Sequence, residues 1–242
     1  MRERGAKTRA LSEALTVILV AAGVAVVLPL AVITAMAAGI ELRPTLVMVL
    51  SILLTQGVSF GGVALLYLAL RRGTIRVPLR WPTANDLQWM VGGSALALAA
   101  LSIGLLVVSL LGLSVGEHRI QEIGVEHPEI FLLLIPLSFL LIGPGEELLF
   151  RGVVQGRLRQ AFGAGAAITL ASVTFAALHL VALSGPLAAR LTTVTVLVLP
   201  SLVFGLAYER SGNIAVPAVI HGIYNAVLFA VSFSALHAET GD

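Results

Sequence analysis

Long apolar stretches separated by short polar segments run through the whole chain. Seven of these stretches, roughly 14–39, 45–70, 89–114, 130–157, 163–183, 192–208 and 214–236, have the length of bilayer-crossing helices. The pattern predicts an all-α fold, a polytopic transmembrane bundle of about seven helices. The first stretch follows a basic segment and ends near Ala35-Met36-Ala37, which is similar to a signal-peptide cleavage site. Its apolar run is too long for a signal peptide, and we expect a retained helix.

Composition supports a membrane protein and removes several kinds of chemistry. Hydrophobic residues make up 58% of the 242 positions and charged residues only 12%, and the mean hydropathy is +1.00. A soluble domain of this length would need more polar surface. The chain has no cysteine, which excludes disulfides, thiolate metal sites and a cysteine nucleophile. The high pI is not accompanied by a nucleic-acid-binding module, so we expect no nucleic-acid partner.

The distribution of Lys and Arg predicts the orientation, because these residues concentrate in cytoplasmic loops. The basic residues on one predicted side are Arg2, Arg4, Lys7, Arg9, Arg71, Arg72, Arg76, Arg80, Arg157, Arg159 and Arg210. The other side carries Arg43, Arg119 and Arg190 with the acidic residues Glu117, Glu122, Glu126 and Glu129. We therefore expect a cytoplasmic N-terminus and an external C-terminus. The lipid bilayer is the expected partner, and the oligomeric state is not predicted.

Ionisable residues inside the apolar stretches indicate where chemistry takes place, because a charge near the bilayer core is costly and usually functional. Three pairs at a spacing of four share a helix face and can point to one location. They are Glu147 with Arg151, Phe175 with His179, and His221 with Asn225, and Glu146 stands beside the first pair. We predict two regions: an N-terminal three-helix transmembrane region at 1–130 and a catalytic transmembrane core at 131–236.

The turns between helices predict that these residues lie at a common depth. Glu146 and His179 are about equally far from the turn at 161–163, so equal rise per residue brings them to one level. His221 is only about nine residues past the turn at 211–213, which requires the preceding hairpin to extend some 10 Å further. The sequence predicts a polar cavity inside the membrane, nearer its cytoplasmic face.

Each of these residues also has a purely structural interpretation. Pro144 is expected to kink or break its helix, or alternatively to start a helical segment that favours Glu146 and Glu147 in its first turn. For Glu147 and Arg151 we favour a buried ion pair that orders the helix. A single His or Asn can simply bond a neighbouring helix. Gln56 is interpreted as such a packing hydrogen bond, with cavity lining as the alternative, and His118, His127 and His237 are interpreted as solvated.

The motifs of this region resemble those of one known family. The segments Pro144-Gly145-Glu146-Glu147-Leu148-Leu149-Phe150-Arg151-Gly152, Phe175-Ala176-Ala177-Leu178-His179 and His221-Gly222-Ile223-Tyr224-Asn225 are similar to the Glu-Glu-x-x-x-Arg, Phe-x-x-x-His and His-x-x-x-Asn motifs of the CAAX prenyl protease and bacteriocin-processing family of intramembrane proteases. The resemblance covers about 131–230, no motif position departs from the pattern, and residues 1–130 match only in being helical and membrane-spanning.

The resemblance implies an intramembrane endopeptidase acting on membrane-associated or C-terminally prenylated (CAAX-type) substrates. Glu146 with His179 would activate a water for attack on a peptide carbonyl, and His221 with Asn225 would stabilise the oxyanion. Glu147 and Arg151 would hold the helix and set the charge of Glu146. A carboxylate in a low-dielectric cavity is also a suitable general base, and Asn and His are suitable oxyanion donors.

Metal dependence and two other functions stay open at this stage. Glu146, His179 and His221 are a plausible Zn²⁺ set, but the His-Glu-x-x-His zinc helix is absent, and we favour a reaction without a cofactor. A non-catalytic membrane scaffold or bacteriocin-immunity protein of the same fold is one alternative. A transporter is the other, because transporters also place ionisable residues at mid-membrane on a broken helix.

Overall fold

The computed structural model describes residues 2–240, and these form an all-helical bundle. Seven of the helices within 2–240 are long and apolar enough to cross a membrane, as the sequence predicts. In chain order the helices are α1 (Arg2–Ala37), α2 (Pro44–Leu70), α3 (Ala84–Leu110), α4 (Arg119–Glu126), α5 (Glu129–Arg159), α6 (Ala164–Val181), α7 (Leu187–Ser211) and α8 (Ala215–Thr240).

One helix boundary and one additional helix differ from the prediction for local reasons. Helix α3 begins at Ala84 rather than at 89, because Thr83 and Asp86 form a reciprocal capping box around the first turn. The short α4 was not predicted: its segment reads as an acidic loop, yet its apolar residues fall on one face and His118 caps its N-terminus. The connection between α3 and α5 is therefore ordered, and it lies at the end of the bundle opposite the basic segments.

Helix α5 accommodates Pro144 without breaking. The α-helical turn Gly143–Glu147 is flanked by the π-helical segments Ser138–Ile142 and Leu148–Gln155. Proline has no N–H to donate, and the wider π turns change the hydrogen-bond pattern so that the helix continues past it. The chain is therefore helical through Pro144 and is not broken there, while the alternative is found in part, because an α-helical segment starts at Gly143 and has Glu146 in its first turn. Helix α2 has a third π-helical segment at Leu53–Gly62, directly opposite this part of α5.

Glycines on either side of Pro144 allow neighbouring helices to approach α5 closely. A methyl group at Gly145 would collide with the backbone carbonyl of Gln56 in α2. A methyl group at Gly143 would lie 2.7 Å from the carbonyl oxygen of Ala218 in α8. Small residues at helix contacts in membranes allow this kind of backbone approach. Helices α2 and α8 are therefore brought against α5 at the position of Glu146.

Polar contacts hold the bundle end that carries most of the basic residues. Arg157 at the end of α5 donates to Glu13 of α1 over 2.8 Å, and Arg159 donates to Glu209 of α7 over 2.7 Å. Asn213, in the connection between α7 and α8, donates to the carbonyl of Arg80 over 3.1 Å. These contacts join α1, α5, α7 and the α2–α3 connection, and they hold the helix ends together on this side of the bundle.

Candidate active site

The four residues predicted to be catalytic line one cavity of about 600 Å³ inside the bundle. Glu146 comes from α5, His179 from α6, and His221 and Asn225 from α8. The predicted polar character holds only for part of the cavity, because most of its lining residues are apolar. The polar side chains, including the four predicted catalytic ones, are a minority of the lining. Their catalytic roles stay predictions.

Side chains from two neighbouring helices face Glu146, and one of them donates a hydrogen bond to it. The carboxylate is 5% exposed, and its Oε1 accepts a hydrogen bond from Gln56 Nε2 over 2.8 Å. Its Oε2 lies 3.6 Å from His221 Nε2 and has no hydrogen-bond partner among residues 2–240. One oxygen is thus oriented by the protein, while the other is left with lone pairs to accept a proton.

Gln56 is a site residue that sequence reasoning placed mainly in helix packing. The alternative interpretation, cavity lining, is the one found, and the side chain also orients the predicted base. A single polar residue in a membrane helix gives no sign of its partner, because the partner depends on how two helices pack. The glycines beside Pro144 were the available signal, since they mark a place where helix backbones approach.

Glu147 contacts both His221 and Arg151. The contact with Arg151 was predicted from the spacing, and the one with His221 was not. His221 Nδ1 lies 2.9 Å from Glu147 Oε1, and an ionised carboxylate only accepts, so this nitrogen carries the hydrogen. The imidazole ring stacks on Phe204, with centroids 4.8 Å apart, and meets the edge of Phe175. These contacts fix the ring so that Nε2 is the nitrogen directed to Glu146.

Arg151 forms the predicted ion pair with Glu147, and both side chains are fully buried. Arg151 Nε lies 3.0 Å from Glu147 Oε2, and Nη2 donates to Ser201 Oγ over 3.0 Å. The guanidinium also lies over the rings of Phe175 and Phe204. A buried carboxylate needs such a partner to remain charged. Arg151 does not line the cavity, and its contact with the lining residue His221 is indirect, through Glu147.

His179 is oriented by its own helix. Its Nδ1 lies 3.0 Å from the carbonyl oxygen of Phe175, one turn earlier in α6. A carbonyl only accepts, so the neutral ring has its hydrogen on Nδ1 and a lone pair on Nε2. The ring packs at 4.8 Å on that of Phe175. Nε2 is therefore available to accept a hydrogen bond from a water in the cavity.

Asn225 is half-buried in the cavity wall, one turn beyond His221. Its side-chain amide makes no hydrogen bond to the part of the chain that the structure describes. Its two N–H donors are therefore available to a bound molecule.

His118 is a second residue that sequence reasoning misplaced. It was expected to be solvated, but it is half-buried and lines the same cavity. Its Nδ1 accepts from the backbone N–H of Ile120 over 3.2 Å, and its backbone pairs with Leu183. Burial, followed by the nearby His179, lowers the pKa of His118 to about 4, against the smaller opposing effect of Glu122. The ring is thus neutral at neutral pH. Among the other histidines, His127 is partly exposed and pairs with Glu129.

A zinc ion needs at least three ligating side chains that lie close together. Within residues 2–240, no three His, Asp or Glu side chains form a group that could hold an ion. Glu146, His179 and His221 line one cavity, but His221 Nε2 already faces a carboxylate oxygen at 3.6 Å. The role of a metal stays an open prediction.

Comparisons with known proteins agree with the motif analysis. The model of a family described as type II CAAX prenyl endopeptidase, Rce1-like, matches residues 128–227. All three motif segments lie within that range, and the resemblance to the family is confirmed there. The uncharacterized protein YpbD of Bacillus subtilis (strain 168) is 40% identical over 88 residues. That alignment covers 36% of this chain and 40% of YpbD, so the chain spans less than half the length of this relative. No solved structure matches the chain.

Proposed function

We propose that the protein is an intramembrane endopeptidase that hydrolyses peptide bonds of membrane-associated or C-terminally prenylated substrates with a water activated by Glu146. The observation that carries the proposal is the state of this carboxylate. It is buried in a cavity, one oxygen is fixed by Gln56, and the other has no hydrogen-bond partner within residues 2–240. A general base needs this combination of fixed direction and free lone pairs.

The proposed reaction begins with a water between Glu146 Oε2 and His179 Nε2. As the water oxygen bonds to the carbonyl carbon of the scissile peptide, its proton passes to Glu146. Asn225 donates a hydrogen bond to the carbonyl oxygen as negative charge develops there, and His221 does the same from Nε2 in its doubly protonated form. The C–N bond then breaks as Glu146 returns the proton to the leaving amine nitrogen. No step requires a cofactor, and we propose a metal-free reaction.

The apolar walls support a membrane-associated substrate, because they favour hydrophobic side chains or a lipid chain over polar peptide. A prenyl chain is one such group, and at the level of the family the match is to CAAX-type proteases.

We also propose that the N-terminus is cytoplasmic and that the catalytic groups lie nearer that face. His221 is about 12 Å along α8 from Asn213 at the basic end. Glu146 is about 20 Å from Arg159 at that end and about 26 Å from Glu129 at the other. The cavity continues toward the opposite end, where His118 and Thr193 contribute to its lining.

The test is peptide cleavage by the purified protein in vesicles, with fragments identified by mass spectrometry. Glu146→Gln keeps the shape of the side chain and removes its basicity, so turnover should fall by roughly 10²–10⁴ in a folded protein. His179→Ala should fall similarly, and Asn225→Ala by about 10²–10³ with substrate affinity little changed.

Near-parental cleavage by a folded Glu146→Gln protein would sink the proposal. Cleavage that is independent of Glu146 and restored by added Zn²⁺ would indicate the metal-dependent alternative. Ion or solute flux without any peptide fragments would indicate a transporter.

A further inference from the structure

Tyr224 carries a buried hydroxyl group that the proposed reaction does not use. The residue is 4% exposed and lines the cavity. Its ring packs edge-on against Phe204, with centroids 5.8 Å apart. Its Oη has no hydrogen-bond partner within the described residues 2–240. Buried polar atoms are nearly always paired, because leaving one unpaired destabilises the protein.

Packing alone does not account for a tyrosine at this position. Phenylalanine would fill the same space against Phe204 without an unpaired oxygen. Because the hydroxyl oxygen has almost no exposed surface, a molecule bound in the cavity supplies its missing partner only after a small shift of the Tyr224 ring or its neighbours. A phenolic O–H is a good hydrogen-bond donor. The same cavity is lined by the groups proposed to cleave a peptide bond.

The helix geometry separates the reach of Tyr224 from that of Asn225. Tyr224 is three residues after His221, so the two share a face of α8. Adjacent helix positions point about 100° apart around the helix axis, so Tyr224 and Asn225 face different parts of the cavity. If Asn225 is at the scissile carbonyl, the Tyr224 hydroxyl is at a neighbouring part of the bound peptide.

We propose that Tyr224 is a substrate-binding residue whose hydroxyl donates a hydrogen bond to a main-chain carbonyl oxygen of the substrate next to the scissile peptide bond. The inference rests on the proposed function and extends it to the recognition of the peptide backbone. Backbone recognition does not depend on side-chain identity. The site then binds extended peptide through Tyr224 while the apolar walls contact its side chains.

The first test compares Tyr224→Phe with the parent in peptide cleavage. A uniform binding contact changes KM and leaves kcat nearly unchanged. Loss of one neutral hydrogen bond should raise KM roughly 3- to 10-fold. The matched control is Tyr208→Phe, since Tyr208 is a half-buried tyrosine of α7 that does not line the cavity. An unchanged KM overturns the inference, and so does a fall in kcat alone, which would place the hydroxyl at the oxyanion.

The second test separates failure of this inference from failure of the proposed function. Binding of a fluorescent alternating Ala-Leu peptide is measured by anisotropy to Glu146→Gln protein, with and without Tyr224→Phe. The added substitution should weaken binding by the same roughly 3- to 10-fold even though no cleavage takes place. Equal affinity overturns the inference, whatever the outcome for Glu146.

A third measurement checks that the hydroxyl has no structural partner. The melting temperature of Tyr224→Phe should equal or exceed that of the parent, because an unpaired polar atom is removed and the ring is kept. A marked fall in melting temperature would show that the hydroxyl is needed for folding and would overturn the assignment to substrate.

Discussion

Removal of the Arg151 charge should destabilise the protein far more than removal of a surface charge from the same helix. Arg151 and Glu147 are both fully buried, and their ion-pair contact is 3.0 Å. Without the guanidinium, the polar partner that Glu147 retains among residues 2–240 is His221 Nδ1, at 2.9 Å. Breaking one side of a buried pair costs about 3–5 kcal/mol, because the remaining charge is left uncompensated.

Arg151→Met preserves most of the side-chain volume, so it isolates the loss of charge. The free energy of unfolding, measured by denaturant titration in mixed micelles, should fall by about 3–5 kcal/mol. Arg159→Met is the matched control. Arg159 pairs with Glu209 at the surface, where both partners are partly exposed, and its removal should change stability by no more than about 1 kcal/mol.

A paired substitution tests the physical reason for this loss. Glu147→Gln combined with Arg151→Met removes both charges, so the double variant should be more stable than Arg151→Met alone. Activity should be lost together with folded protein. If Arg151→Met is as stable as the parent and yet inactive, the assignment to structure is wrong and Arg151 belongs with the catalytic residues.

Three further predictions follow from other contacts. Gln56→Leu removes the donor that fixes Glu146, so kcat should fall about tenfold in a folded protein; the effect should vanish in a Glu146→Gln background, and an equal loss there would contradict it. The pKa of His118 is lowered from 6.5 to about 4, so protonation favours the unfolded chain, and the parent should lose stability as pH falls from 6.5 to 4. The difference in melting temperature between the parent and His118→Gln should shift against the parent over that range, and a constant difference would refute the assignment. Single cysteines for labelling are placed at Thr74, Gln160 and Ile123. The first two should react from the cytoplasm and the third only from outside, and labelling of Ile123 and Gln160 from the same side would overturn the orientation.

The membrane-spanning helices could be predicted from sequence because each requires about 20 mostly apolar residues in a row, a pattern that is rare in other kinds of structure. The seven spans are confirmed, with boundary differences set by local caps such as Thr83 and Asp86. The grouping of Glu146, His179, His221 and Asn225 around one cavity could be predicted for a related reason. Positions four apart share a helix face, and helix rise fixes their depth.

Contacts between helices distant in sequence could not be predicted in this way. The bond from Gln56 to Glu146 joins residues 90 positions apart, and its existence depends on the packing of α2 against α5. In the π-helical turns around Pro144, each backbone N–H bonds to the carbonyl five residues earlier instead of four. Nearly every residue has these backbone groups, so no side-chain pattern predicts such turns. His118 was missed because its position in a polar connection gave no sign that the connection closes over the cavity.

The segment Gly143-Pro144-Gly145 shapes the site because it lacks a backbone N–H and two side chains. Proline removes one backbone N–H, and the flanking glycines remove side chains where α2 and α8 approach. A larger residue at 145 would push away the helix that carries Gln56, and one at 143 would push away the helix that carries His221. The positions of the two side chains that face Glu146, Gln56 and His221, therefore depend on the same short segment. One of them lies outside residues 128–227, the range of the family match. The predicted division at residue 130 thus separates Glu146 from the side chain that orients it, which is a physical reason to treat the two regions as one functional unit.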